Sequence, residues 1–222
     1  MLKFSTNNIE FNKEQAFGFD LDGTLYDEFE FICHAYKTVA DYIASFSGNI
    51  EQDNLWNYMI NCWLEEGSAK ADLFQEAFMY ASVYPNSDRI KECIRLYREA
   101  PFQLTLSTRA KFILDLCKKE SKIMFIVTDG NSVLQRRKIE ALGLKEWFDE
   151  EFIFISGDYG KEYQKPGVGM VQHISKVVDL ELGNICYLGD RDVDEKFAAS
   201  TGFDFYYAPC MQIMSKTMRK TK

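Results

Sequence analysis

Five short, almost wholly apolar runs constrain this chain more than any other feature: residues 16–20, 122–127, 152–155, 185–188 and 203–207. Runs of this length suit strands buried on both faces of a sheet. Between the later runs lie segments with helical periodicity, at about 108–119, 131–142, 168–179 and 191–200. Leu134, Ile139 and Leu142, for instance, share the spacing of one amphipathic face. Strands alternating with helices predict an α/β core, a mostly parallel sheet with helices on both faces. Ligands of such sheets bind at the carboxyl ends of the strands, where Asp20, Thr128 and Asp190 all fall.

Residues 28–103 break the alternation. They read as helices only, at about 28–46, 53–65, 70–81 and 88–99, separated at Ser47-Gly-Asn49, Glu66-Gly-Ser68 and Tyr84-Pro-Asn-Ser87. The expected organisation is therefore a core of 1–27 with 104–222, interrupted by an all-helical domain at 28–103. A chain of 222 residues can bury a core of that size. The helical segment is rich in aromatics, among them Tyr36, Tyr42, Trp56, Trp63, Phe74 and Phe78, which read as the apolar faces of packed helices.

Chemistry concentrates at the end of the first run, Phe17-Gly-Phe-Asp-Leu-Asp-Gly-Thr24. In extended backbone residues i and i+2 lie on one face, so Asp20 and Asp22 project together while Leu21 enters the core. Gly23 permits the sharp turn that follows. Two acids beside a turn can divide a hydrolysis, one attacking and one handling the proton. Three further elements follow in order: Ile123 to Thr128 with Asp-Gly-Asn131 behind it, Lys165-Pro166 in a loop, and Gly189-Asp190-Arg-Asp-Val-Asp194.

Together these four elements resemble the haloacid dehalogenase superfamily, and they spread from Asp20 to Asp194, nearly the whole chain. The resemblance implies a Rossmann-like core and a helical cap inserted after the first motif. It implies Asp20 as nucleophile and Asp22 as acid and base. Mg²⁺ would sit on the Asp20 carboxylate, the Asp22 backbone carbonyl and Asp190, with Asp194 assisting through a metal-bound water or by orienting Lys165. Thr128 would donate its hydroxyl to the phosphoryl group, aided by the N–H groups of Asp129 and Gly130, and Lys165 would neutralise its charge. Two departures stand out. Asp129 occupies a position where many relatives carry a neutral residue, so its side chain must turn away from phosphate. Gly160 to Lys165 is about two residues long relative to the pattern and offers Lys161 as a competitor.

The presence of Asp22 argues for phosphoryl transfer, because a halide leaves without a proton. The helical segment holds six Lys/Arg against twelve Asp/Glu, a poor lining for the second phosphate that a mutase must grip. The expected function is thus a Mg²⁺-dependent phosphatase of a small phosphorylated metabolite, a sugar phosphate or nucleoside monophosphate among the candidates. A phosphomutase, or a binding module without catalysis, are the alternatives. Net charge is −8, which disfavours a nucleic-acid partner. The basic tail of Lys216, Arg219, Lys220 and Lys222 reads as a solvated terminus. No run approaches the roughly 20 apolar residues of a membrane span, and the first residues lack the apolar core of a signal peptide. Six scattered cysteines and two distant histidines suit reduced thiols and packing rather than a zinc site. A cytoplasmic protein is expected, with its oligomeric state left open.

Overall fold

The computed structural model describes residues 3–4, 9–11, 13–180 and 184–210; the basic tail lies outside them. A short antiparallel pair, β1 (Lys3–Phe4) and β2 (Ile9–Glu10), precedes the core and carries no sequence signature long enough to expect it. The main sheet has five strands: β3 (Ala16–Phe19), β4 (Ile123–Thr128), β5 (Ile153–Ile155), β6 (Ile185–Gly189) and β7 (Asp204–Tyr207). Their order is β5-β4-β3-β6-β7, and every pairing is parallel.

β3 lies at the centre, in register with β4 on one side and β6 on the other, and all four of its residues are buried. That double burial is why its sequence is a continuous apolar run. Gly18 has a packing reason. A Cβ built there would meet the Phe125 ring at 2.6 Å and Tyr187 at 2.7 Å, so the two neighbouring strands place large rings where only hydrogen fits. β7, at the edge, is half exposed.

In this core, α5 (Thr108–Lys119) starts on Ser107, whose hydroxyl accepts from Ala110 N, and buries Ile113, Leu114 and Cys117. α6 (Ser132–Ala141) starts on Asn131, whose side chain accepts from Leu134 N at 3.1 Å. α8 (Asp192–Thr201) buries Phe197 and Ala198. The helix expected at 168–179 shrinks to α7 (Val171–Ile174), followed by turns. Val168, Val171, Ile174, Val177 and Val178 are β-branched and crowd a helix, and the backbone here mixes i→i−3 with i→i−4 hydrogen bonds. The apolar stripe survives without the regular helix: Met170, Ile174 and Val178 are buried in the core with Phe125, Phe154 and Phe197.

The described residues form two compact units, with Phe29–Gln103 as the second. Its helices are α1 (Glu28–Ala44, which enters from the first unit), α2 (Gln52–Glu66), α3 (Leu73–Tyr80) and α4 (Ser87–Glu99). Gly67 ends α2 at φ 74°, and Asn86 caps α4 by accepting from Arg89 N at 2.9 Å. The aromatics pack mainly on one another. Phe31 meets Tyr97 and Phe102 edge-on, and the Trp56 indole donates to Cys33 O. All six cysteines are free thiols. No helix of the described residues is long and apolar enough to cross a membrane.

Adding one methyl group at the sheet centre tests this packing. Gly18→Ala should destabilise the protein by about 1–3 kcal/mol, the usual cost of overfilling a packed core, read from the denaturant midpoint.

Candidate active site

Two adjacent parallel strands deliver the acids. Asp20 follows β3 and Asp190 follows β6, and the Asp20 amide donates to Leu188 O at 2.9 Å, holding the two strand ends together. Asp194 comes from the first turn of α8 and is fully buried. One carboxylate oxygen each from Asp20, Asp190 and Asp194 lies within 4.8 Å of the others. Gly23, at φ 78°, is where the chain turns past them. A Cβ there would come within 2.8 Å of the Asp190 carboxyl carbon, so the turn and the acid cluster both require glycine.

Lys165 enters this cluster with its side chain wholly buried. Its Nζ donates to Asp20 Oδ1 and Asp194 Oδ1, both at 2.6 Å, and lies 3.2 Å from Tyr187 Oη and 3.3 Å from Val127 O. Asp194 Oδ2 accepts from Arg191 N at 3.1 Å, so both Asp194 oxygens are engaged. Asp20 Oδ2 and Asp190 Oδ1 are buried and accept no hydrogen bond among the described residues, although Arg191 Nε lies 3.7 Å from the latter. Burial pushes the Asp20 carboxyl up to about 7 against the pull of Lys165. Burial, with Asp20 close by, pushes Asp190 to about 8. Burial disfavours the charge on Lys165, yet Asp20, Tyr187 and Asp194 hold it well above its ordinary value. Crowded carboxylates with orphaned oxygens fit a hard divalent cation such as Mg²⁺, which takes oxygen ligands.

The Asp22 carboxylate belongs to a different set. Its Oδ1 accepts from Tyr26 Oη and, at 2.6 Å, from Lys138 Nζ; its Oδ2 accepts from Gln135 Nε2 at 2.7 Å. The same Gln135 nitrogen lies 2.7 Å from Thr128 Oγ1. Burial alone raises a carboxyl, but Lys138, with hydrogen bonds from Lys138, Tyr26 and Gln135, outweighs it and holds Asp22 below its ordinary value. None of Tyr26, Gln135 and Lys138 was expected from sequence. Gln135 and Lys138 turn inward from α6 to Asp22, while Arg136 turns outward to Asp158 at 2.9 Å.

Asp129 does turn aside. Its two carboxylate oxygens accept from the Lys165 amide at 3.1 and 3.3 Å, and burial raises it despite nearby Lys165. The Gly130 amide, expected to face phosphate, points to Ser156 Oγ at 3.3 Å. Thr128 is 1 % exposed at the end of β4. Lys161 is exposed in a turn, as is Asp192 at the start of α8. Of the two candidate lysines, the geometry brings only Lys165 to the acids.

A sequence profile of haloacid dehalogenase-like hydrolases matches residues 18–208. The N-acylneuraminate-9-phosphatase of Rattus norvegicus is 28% identical over 106 residues, 47% of this chain and 41% of that protein; the chain thus spans well under half of that relative. The phosphoglycolate phosphatase of Neisseria meningitidis serogroup A is 24% identical over 210 residues, 88% of this chain and 80% of that one. In fold, a HAD hydrolase from Bacillus subtilis bound to magnesium matches with a TM-score of 0.63 at 16% identity, covering 87% of this chain and 86% of that chain.

The raised acids give a pH signature in stability. A carboxyl raised by folding favours the native state while protonated, so the contributions of Asp20 and Asp190 are present at about pH 4 and lost as pH rises through about 7 and 8. Without divalent ions the melting temperature should therefore fall across that window. Added Mg²⁺ should raise it by several degrees near pH 8 and much less near pH 5, measured by scanning calorimetry.

Proposed function

The chain belongs to the haloacid dehalogenase-like hydrolase family, and on that premise we propose that it is a Mg²⁺-dependent phosphatase of a small phosphorylated metabolite, working through an aspartyl-phosphate on Asp20. What carries this reading is the Asp20 carboxylate: buried, anchored through one oxygen to Lys165, with the other oxygen accepting no hydrogen bond among the described residues.

In the first step an Asp20 oxygen attacks phosphorus and the ester P–O bond breaks. The departing oxygen takes a proton from Asp22. In the second step water attacks the same phosphorus and gives its proton to Asp22, and the bond from phosphorus to the Asp20 oxygen breaks to release inorganic phosphate. Held by Tyr26, Gln135 and Lys138, Asp22 in this arrangement is the proton acceptor that the second step needs, and it must take up a proton before the first. Lys165 stays against Asp20 and spreads the charge that builds there, with Asp194 holding its ammonium in place. Thr128 supplies a hydroxyl to the phosphoryl oxygens. Asp20, Asp190 and the Asp22 carbonyl would hold Mg²⁺, which when bound offsets the repulsion between the acids and a phosphate dianion.

We assign the helical unit Phe29–Gln103 as a cap that selects substrate. Five of its six cations have partners within the unit. Lys37 pairs with Asp41 and Asp53, Lys70 with Glu66 and Glu76, Lys91 with Asp88, and Arg95 with Glu92 and Glu99, while Arg89 donates to Tyr84 O. That supports hydrolysis over a mutase, which needs cations to spare for a second phosphate. Phosphoglycolate, N-acylneuraminate 9-phosphate, sugar phosphates and nucleoside monophosphates form the substrate panel, read by phosphate release.

Rapid-quench trapping with labelled substrate tests the nucleophile. Asp20→Asn should lose turnover and the phosphoenzyme together, and EDTA should abolish activity in the parent. A phosphoenzyme that survives Asp20→Asn sinks the assignment. Lys165→Ala should lower kcat/KM by about 10²–10³-fold, as for a lost preorganised donor, whereas exposed Lys161→Ala should change it less than about threefold.

A further inference from the structure

We propose that Lys138, together with Gln135, is a positioning residue that fixes the Asp22 carboxylate for proton transfer to the leaving group and ties it to Thr128. The proposal rests on the reading of Asp22 as acid and base. Lys138 is only 3 % exposed, and its ammonium meets Asp22 Oδ1 at 2.6 Å. A buried ion pair adds little stability over apolar side chains of the same volume, so stability alone gives no reason for a lysine here. Orientation does. Tyr26 on the motif's own turn, and Gln135 and Lys138 three residues apart on α6, engage both Asp22 oxygens from two elements. Rotating the carboxylate breaks at least one of these bonds.

Gln135 extends the arrangement. Its amide nitrogen bridges Asp22 Oδ2 and Thr128 Oγ1, 2.7 Å from each. The group that handles the proton and the hydroxyl assigned to the phosphoryl oxygens are thereby set against one amide. Arg136, one of the two residues between them, leaves on the outer face to Asp158, so α6 sends one cation to the surface and another to the site. Proton transfer tolerates little misplacement, and an error of about 1 Å can cost about 10²-fold in rate.

The test uses the full chain with Mg²⁺ and compares Lys138→Met, Lys138→Arg, Asp22→Asn and the Asp22→Asn/Lys138→Met double variant. Each is assayed on phosphate esters running from p-nitrophenol, which leaves without a proton, to simple alkyl alcohols, which require one. Compared through kcat/KM, which covers the steps up to departure of the alcohol, Lys138→Met should lose about 10²-fold on alkyl esters and less than about threefold on p-nitrophenyl phosphate, whereas the later water attack, common to all the esters, slows equally for each. Lys138→Arg should recover part of the loss, and Lys138→Met should add nothing in the Asp22→Asn background. A loss of kcat/KM uniform across the esters, or one that adds fully to Asp22→Asn, overturns the proposal. If Asp22→Asn is itself indifferent to the leaving group, the acid–base reading fails, and the positioning role with it. If Asp22→Asn discriminates and Lys138→Met does not, only the positioning role fails. Gln135→Leu removes the donor to Oδ2 without creating a buried charge, and it carries the same comparison if Lys138→Met does not fold.

Discussion

Lys165 carries its ammonium to a fully buried position, 2.6 Å from the carboxylates of both Asp20 and Asp194. The rest of the site depends on that charge. Three acids gather at the ends of β3 and β6 and the start of α8, and buried carboxylates at such distances repel strongly. One lysine neutralises part of the charge and spends Asp194 in doing so, while one oxygen each of Asp20 and Asp190 accepts no hydrogen bond among the described residues. Removing a partner from such a buried pair typically costs about 3–5 kcal/mol, because the other charge remains behind. The same residue that supports the site electrostatically thus also supports the fold.

Asp20 and Asp22 stand two residues apart, yet their surroundings push them in opposite directions. Asp20 is raised by burial among other acids, while Asp22 is lowered by Lys138 and the donors around it. Divergent environments of this kind are how one fold gives two carboxyls separate duties. Here each acid has its own lysine, Lys165 for Asp20 and Lys138 for Asp22. The two lysines come from different parts of the chain, the loop before α7 and the second half of α6.

Parallel pairing explains why the four motifs converge. β3 lies between β4 and β6 in matched register, so Phe19 stands beside Ile126 and Leu188. The residues just beyond all three strands then emerge at one edge of the sheet. Tyr187 links this scaffold to the chemistry: its ring packs against Phe197 in the core, and its hydroxyl donates to Val127 O beside Lys165.

Much of this was legible in the sequence because it depends on local pattern. Continuous apolar runs marked the five strands, Asn131 marked the start of α6, and Gly23 marked a turn with positive φ. Motif order singled out Asp20, Lys165, Asp190 and Asp194, which the fold brings together. The helix expected at 168–179 was misjudged, since apolar spacing does not reveal the crowding of five β-branched residues. Lys138 and Gln135 were invisible for a different reason. In sequence they are ordinary polar residues of an amphipathic helix, and only the approach of α6 to the turn after β3 places them on Asp22. The choice between Lys161 and Lys165 was likewise made by burial, and so was the turning of the Gly130 amide to Ser156. Strand ends and turns follow from short-range sterics and hydrophobic pattern, which a sequence carries within a few residues. Which charge meets which inside the protein depends on contacts more than a hundred residues apart, such as Lys138 with Asp22 and Lys165 with Asp20, and those exist only once the sheet has formed.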